Sequence, residues 1–298
     1  MATPMSALTF TYHLLYSQLF LRPAYPTASF AGQTVIVTGS NTGLGFEAAR
    51  HIVLLGASKV ILAVRTVSKG EAAAAKILES TKATKTKVEV WPLDLSNYDS
   101  IKAFAERAGK LDRLDAVLQN AGILSNQFKM LEEDEAHITV NVVGAVLLGL
   151  LVLPKLRQSA KDFGTTGRLS FVGSDSMHIA PLKEAKVPGP LFDALREKEG
   201  VDMGSRYPVS KLLLFYAVRE IAARSPATPE SNVVINVMTP GLCKSDIFRE
   251  DMPWLLSKIL SLLSRTTEQG GIAMVDAVRP DLETSAHGAF LWDCRVAT

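Results

Sequence analysis

From Gln33 onward the chain repeats one pattern: a short run of β-branched or aliphatic residues, then a longer stretch with apolar residues at helical spacing. The short runs are Thr34 to Thr38, Val60 to Val64, Val88 to Trp91, Ala116 to Leu118, Arg168 to Val172 and Val233 to Val237. Gly288 to Trp292 is a candidate seventh. Helical stretches fall between them at Gly43 to Leu55, Gly70 to Ser80, Ser100 to Ala108, Glu135 to Arg157 and Tyr207 to Arg224. A strand that is apolar throughout, rather than at alternate positions, is covered on both faces. Strands joined by right-handed helical crossovers build a doubly wound parallel sheet. The expectation is therefore an α/β fold of about seven strands with helices on both faces. No linker or repeat divides it, so one domain is read over residues 30–298, after an N-terminal extension over residues 1–29.

Several classes of function are excluded early. Thirty-two basic residues stand against thirty acidic ones, a net charge of +2. That is too little for an electrostatic nucleic-acid or membrane binder. Cys243 and Cys294 are the only cysteines, so there is neither a disulfide framework nor a Cys-rich zinc site. His13, His51, His137, His178 and His287 lack metal-ligand spacing, and no metal is expected. The absence of an N-x-S/T sequon fits a reducing, cytoplasmic setting. Leu8 to Leu21 is apolar but broken by Thr9, Thr11, His13, Ser17 and Gln18, which suits neither a spanning helix nor a signal peptide. It reads as a surface helix packed on the domain, or as a peripheral membrane contact through Phe10, Leu14, Leu15 and Phe20.

The first candidate site lies between the first strand and the first helix. Thr38-Gly39-Ser40-Asn41-Thr42-Gly43-Leu44-Gly45 sits where a dinucleotide pyrophosphate meets backbone N–H groups and a positive helix end. The glycines allow the close approach that a Cβ would block. An acidic residue at the end of the second strand would bind a ribose diol; Arg65 stands there instead. A guanidinium fork suits a 2′-phosphate, so the expected cofactor is NADP(H), with Arg65 as its reader and Ser40 or Lys69 as helpers. The other reading of Arg65 is a solvated strand-end charge. Asp94, in Leu93-Asp94-Leu95, either accepts from the adenine amino group or caps the helix near Ser96. Asn120-Ala121-Gly122 closes the fourth strand with small residues.

The second candidate site carries chemistry. Tyr207 and Lys211 lie four apart on one helical face, with Pro208 placed in the first turn. A phenol titrates near 10; a neighbouring ammonium and an oxidised nicotinamide are expected to lower that value. Tyr207 then gives a proton to a carbonyl oxygen or takes one from an alcohol, and Ser174 holds the same oxygen. A second Y-x-x-x-K, Tyr98 to Lys102, has no serine-bearing strand end before it and reads as an ordinary helix start. Asn141 is either a structural amide bonded to backbone or the holder of a water that links Lys211 to solvent.

Taken in order, Thr38 to Gly45, Asn120-Ala121-Gly122, Asn141, Ser174 and Tyr207/Lys211 resemble the classical short-chain dehydrogenase/reductase family over about Phe30 to Trp292. Arg65-x-x-x-Lys69-Gly70-Glu71 and Leu93-Asp94-Leu95-Ser96 resemble its retinol-dehydrogenase-like branch, which typically prefers NADP(H). The resemblance implies a Rossmann domain and a catalytic tetrad of Asn141, Ser174, Tyr207 and Lys211. It also implies a nicotinamide-side segment at Pro240, Gly241 and Ser245. Two features depart from the family pattern. Gly173 replaces a second serine beside Ser174, with Ser176 as a substitute. The segment Asp175 to Arg206, with Met177, Leu182, Leu191, Phe192 and Leu195, is longer than in many members and is expected to shape a substrate lid. Cys243 to Ser264 either adds a second apolar wall or packs on the sheet. The function implied is an NADP(H)-dependent oxidoreductase for the ketone or alcohol of an apolar small molecule. The alternatives are a non-enzymatic cofactor-binding sensor and a Tyr-dependent isomerase or dehydratase. Leu147, Leu151, Leu213 and Phe215 give the two long helices a second apolar face, which suits a homodimer.

Overall fold

The computed structural model describes residues 6–228, 232–244 and 263–297. Its strands are β1 (Thr34–Thr38), β2 (Lys59–Val64), β3 (Lys87–Pro92), β4 (Ala116–Gln119), β5 (Met130–Leu131), β6 (Asp134–Glu135), β7 (Gly167–Val172), β8 (Val233–Met238), β9 (Phe290–Trp292) and β10 (Arg295–Val296). Eight of them form one sheet in the order β10-β9-β8-β7-β4-β1-β2-β3, while β5 and β6 make a separate two-stranded ribbon. Every pairing from β3 to β9 is parallel, and only β10 runs antiparallel to its neighbour.

Period-two alternation sends each strand's side chains to two cores. Ile36, Ile61, Val117, Leu169 and Ile235 face α4 (Tyr98–Gly109), α5 (Ala145–Phe163) and α7 (Met203–Arg224). Val35, Val60, Leu62, Leu118 and Val234 face α2 (Gly43–Leu54), α3 (Val67–Thr81) and the helix Thr267–Asp276. Each such side chain is essentially sealed from water, a burial that stabilises by about 1.5–3 kcal/mol apiece. The consistently apolar strands follow from this double cover.

The eighth strand departs from the expected seven. Trp292 pairs with Arg295 across Asp293 and Cys294, whose φ values of 52° and 61° mark a two-residue hairpin turn. Neither residue is the usual glycine or asparagine signal. The helix carrying Tyr207 also begins earlier than expected. Asp202 caps it by accepting from Gly204 N at 3.1 Å, and Met203 is its first residue. Pro208 therefore lies in the second turn, where it lacks the N–H that would otherwise bond the Gly204 carbonyl. The stretch read as one helix from Glu135 resolves into the edge of β6, a π-helical turn over Ile138–Gly144 and then α5. The run Ile138–Phe163 is long and apolar enough to cross a membrane, but 61% of its most apolar window is buried within this fold.

At the N-terminus, α1 (Ala7–Phe20) starts on a Ser6 cap. Ser17 is buried on its inner side, while Leu8, Tyr12, Leu19 and Phe20 are exposed on its outer side. The long insertion folds into two 3-10 turns (Asp175–Ile179 and Lys183–Lys186) and α6 (Leu191–Arg196). Leu182, Leu191 and Leu195 pack there against Ile138, Val142 and Val209 as a satellite core, and Met177 joins the main core. Only Asp175, Ser176 and Ile179 of this insertion reach the cavity described next.

Candidate active site

The strand order reverses between β1 and β4, and ligands of such sheets bind where the carboxyl ends of those strands splay apart. The glycine turn occupies that place. Gly39 and Gly43 have φ of +64° and +61°, a left-handed backbone that glycine adopts at least cost. A Cβ on Gly43 would meet nothing within 4 Å, so the turn's backbone faces an open groove at the start of α2. A Cβ on Gly45 would strike Asn120 Nδ2 at 2.5 Å and the Gly39 carbonyl at 2.6 Å. Gly45 thus lets the helix close onto the turn. Asn120 Nδ2 donates to the carbonyls of Thr38 (2.9 Å) and Gly39 (3.1 Å), and Ala121 N donates to Thr38 Oγ1 (2.9 Å). These bonds stitch the end of β4 to the turn. Open backbone amides, a positive helix end and the lack of side chains fit a pyrophosphate. Ser40 has a different place from the one expected: it is fully buried and its hydroxyl donates to the Val37 carbonyl at 2.9 Å, which takes it away from any 2′-phosphate.

On the β2 and β3 side of this turn lies a cavity of about 510 Å³ lined by Arg65, Lys69, Asp94, Leu95 and Gly122 among others. Arg65 is exposed at the strand tip, and among the described residues no carboxylate pairs with it or with Lys69. The Asp94 carboxylate accepts from Ser96 N (2.9 Å) and Ser96 Oγ (2.7 Å) through Oδ1. It makes a local turn while still facing the cavity.

On the other side is a cavity of about 540 Å³, bounded by Tyr207, Lys211, Ser174, Gly122, Pro240 and Gly241, among others. Tyr207 and Ser174 line the same wall of it, and the Ser174 and Ser176 hydroxyls lie 2.9 Å apart. Lys211 is buried and donates to the Val172 carbonyl at 2.8 Å; its Nζ stands 5.6 Å from the centre of the Tyr207 ring. Burial pushes the Tyr207 phenol up to about 12, helped by the Asp175 charge and opposed by the neighbouring Ser174 hydroxyl. Burial also brings the Lys211 ammonium down to about 8. The protein alone therefore raises the phenol's value where the sequence reading expected a fall. Removal from water outweighs an ammonium that is committed to a carbonyl.

Asn141 is committed in the same way. Its Oδ1 accepts from Ile123 N (2.8 Å), and its Nδ2 donates to the Ile123 carbonyl (2.9 Å) and to Ser210 Oγ (3.0 Å). The amide fastens the loop after β4 to α7 from within the π-helical turn. π-turns recur at functional sites, and this one puts Asn141 Oδ1 3.0 Å from where a Gly122 Cβ would stand. Tyr98, the other member of a Y-x-x-x-K pair, is half-buried at the first position of α4, with Lys102 exposed and paired to Asp99 at 3.2 Å. It reaches neither cavity.

Some participants were not anticipated. Asp175 is buried beside Ser174 and is pushed up to about 6, chiefly by burial and further by Asp293, against the pull of the Thr239 hydroxyl and of Arg265. Thr239 Oγ1 accepts from Gly241 N at 3.1 Å, which closes the turn at Pro240-Gly241. Arg265 is buried under the same turn and donates to the Pro240 carbonyl at 3.2 Å. A lone buried arginine or a carboxyl beside a serine carries no spacing signal. Burial pushes the Cys243 thiol up to about 12, which makes it a poor nucleophile. Ser245 and most of the expected second wall after Lys244 lie outside the described residues. Glu47, His51 and Glu268 gather on the far face of α2, but Arg50 already bonds both carboxylates, at 2.7 and 3.0 Å.

The short chain dehydrogenase family model matches residues 33–179. A Cryptosporiopsis protein described as short chain dehydrogenase/reductase dmxR8 is 40% identical over 292 residues, covering 95% of this chain and 88% of that protein. The short-chain dehydrogenase anuD of Penicillium roqueforti is 41% identical over 298 residues, covering 97% of this chain and 75% of its own. Among solved structures, an RhlG/NADP active-site complex from Pseudomonas aeruginosa shares the fold with a TM-score of 0.66. It is 20% identical and covers 90% of this chain and 97% of its own. The chain belongs to the short-chain dehydrogenase/reductase family and is an oxidoreductase of that family.

Proposed function

We propose that the protein is an NADP(H)-dependent oxidoreductase acting between the carbonyl and alcohol forms of an apolar small molecule, with Tyr207 as its proton donor and acceptor. The observation that carries this reading is the meeting of Tyr207, Ser174 and Lys211 with the glycine turn and Pro240-Gly241 around one cavity. The NADP bound by the Pseudomonas relative supports the choice of cofactor. The amides of Gly39, Asn41, Gly43 and Leu44 would receive the pyrophosphate, Arg65 and Lys69 the 2′-phosphate, and Asp94 and Leu95 the adenine. Ala121, Gly122, Pro240 and Gly241 would flank the nicotinamide half. NADPH, when bound, supplies the hydride that reduces the carbonyl carbon, and NADP+ accepts it in the reverse direction.

The chain's own part is to handle the proton. Ser174 Oγ and the Tyr207 hydroxyl hold the substrate oxygen, and the Tyr207 proton passes to that oxygen as the carbon is reduced. A phenol near 12 is fully protonated at neutral pH, which suits the acid role and hence reduction. Oxidation needs the phenolate, so it is expected to gain as pH rises. Lys211, near 8, is placed to return a proton toward Tyr207. Phe10, Leu14, Ile179 and Leu242 give the cavity an apolar lining, which supports an apolar substrate. Loss of NADPH absorbance with a panel of hydrophobic ketones tests the reading, and wild-type protein that consumes no NADPH with any of them would refute it.

Exposed Leu150, Leu151 and Tyr216 on α5 and α7 support a homodimer through these helices. Sedimentation is expected to show a species of twice the 32.2 kDa chain mass, and a monomer at micromolar concentration would contradict this.

A further inference from the structure

The N-terminal helix is built into the catalytic cavity. Phe10 and Leu14, one turn apart on its inner face, line the same space as Ser174, Tyr207 and Pro240. Below them the helix is clamped. Arg265 donates through NH2 to the carbonyls of Ser17 (3.1 Å) and Leu21 (3.0 Å), to Ser17 Oγ (3.2 Å) and to Asp293 Oδ1 (2.5 Å). Ser17 Oγ in turn donates to Asp293 at 2.8 Å. The Gln18 amide, oriented to suit its neighbours, donates to the carbonyls of Leu242 (3.0 Å) and Leu263 (3.2 Å) and accepts from Leu242 N (3.1 Å). A Cβ on Gly241 would stand within 2.8 Å of both the Gln18 amide and Arg265 NH1, so helix and turn are in direct contact. Since Arg265 NH1 also holds the Pro240 carbonyl, one buried guanidinium fixes both the helix and the nicotinamide-side turn. Such a clamp costs buried charge and polar desolvation, and it holds side chains to a fixed distance from the reacting oxygen. The family model's match begins only at residue 33, past this helix.

We propose that α1 is the substrate-selecting wall of the site, with Phe10 and Leu14 as specificity-determining residues that hold the flat apolar body of a cyclic or aromatic ketone while its carbonyl meets Tyr207 and Ser174. This rests on the oxidoreductase reading above. A ring beside Phe10 gains aromatic contact as well as burial, and a small ketone that touches only the tyrosine and serine gains neither. The wall therefore acts on binding of the substrate body rather than on the hydride step.

The test compares 1-tetralone with cyclohexanone in wild type, Phe10→Ala, Phe10→Leu and Leu14→Ala. Phe10→Ala is expected to raise KM for tetralone about tenfold, the scale of a lost apolar pocket contact, with kcat and the NADPH Kd within about twofold of wild type. Cyclohexanone KM should hardly move, and Phe10→Leu should recover part of the loss. Equal effects on both ketones, or none on either, would overturn the proposal. So would a parallel loss of NADPH affinity, which would mark a merely structural helix. If wild type turns over neither of these ketones nor any other of the hydrophobic panel, the oxidoreductase reading fails by itself. The wall is then read from displacement of a bound naphthalene dye by tetralone, which Phe10→Ala should weaken if the proposal holds and leave unchanged if it does not.

Discussion

Two stretches of this chain carry the same tyrosine-to-lysine spacing and end in opposite circumstances. Tyr98 opens α4 half-buried among Glu132, Glu133 and Asp134, with Lys102 in solvent beside Asp99. Tyr207 stands at the wall of a cavity beside Ser174, with Lys211 sealed beneath it on the Val172 carbonyl. A spacing of four only guarantees that two side chains share a helix face. What makes one pair a site is the strand end it faces: β7 delivers Ser174 and the Val172 carbonyl to α7, while nothing comparable faces α4. Both phenols are raised by burial and nearby carboxylates, so a shifted phenol does not by itself mark the site either. The lesson is that position relative to the sheet's carboxyl edge discriminates, and residue pattern alone does not.

The comparison breaks most sharply at the tyrosines. Tyr207→Phe should lower ketone reduction about a thousandfold, the scale of a lost proton donor, while Tyr98→Phe stays within about twofold; steady NADPH consumption measures both. The lysines come next. Wild-type reduction should fall as pH rises through about 8, because Lys211 loses its proton there. Lys211→Met should flatten that limb at a rate about a hundredfold lower, and Lys102→Met should leave the whole profile in place. At the cofactor's far end, Arg65→Glu should weaken NADPH about a hundredfold, a loss of the order of a charged hydrogen bond plus the new repulsion. NADH should weaken much less, as titration by fluorescence would show.

The smallest effect concerns the carboxyl beside the active tyrosine. Asp175 titrates near 6 when folded and near 3.8 otherwise, so the folded chain binds that proton more tightly. The stability it lends is present at low pH and lost as pH rises through 6. Asp175→Asn should therefore raise stability by about 1–3 kcal/mol at pH 8, and by little near pH 4, in chemical denaturation. It should also lower the pH at which alcohol oxidation begins to rise, since the Asp175 charge holds the Tyr207 phenol up.

The sheet was legible because β1, β2, β4 and β8 are mostly apolar or β-branched, a direct consequence of cover on both faces, while β7 is as buried but carries Arg168 and Ser170. The glycine turn was legible because its place between β1 and α2 calls for residues without a Cβ, and Ser174 and Tyr207 were legible from the order of the motifs. The rest depends on contacts that sequence spacing does not encode. Phe10 and Leu14 reach Tyr207 across nearly two hundred positions, and Arg265 joins Ser17, Pro240 and Asp293 from three separate parts of the chain. Ser40 sits in the glycine turn yet points inward to Val37. The rise of the Tyr207 phenol escaped the sequence because it depends on how the fold shields the phenol from water and on where Lys211 spends its proton. The start of α7 was misplaced because Pro208 usually marks a first turn, while the Asp202 cap that begins this helix is a weaker signal.

In the proposed function, Tyr207 gives the proton while NADPH gives the hydride. Reduction of 1-tetralone by NADPH carrying deuterium at nicotinamide C4, followed by mass spectrometry of the alcohol, tests it most directly when run beside Tyr207→Phe. Wild type is expected to place one deuterium atom, delivered as deuteride, on the carbinol carbon, and Tyr207→Phe is expected to form almost no alcohol while still binding NADPH with unchanged Kd. Labelled alcohol formed by Tyr207→Phe at the wild-type rate would contradict it.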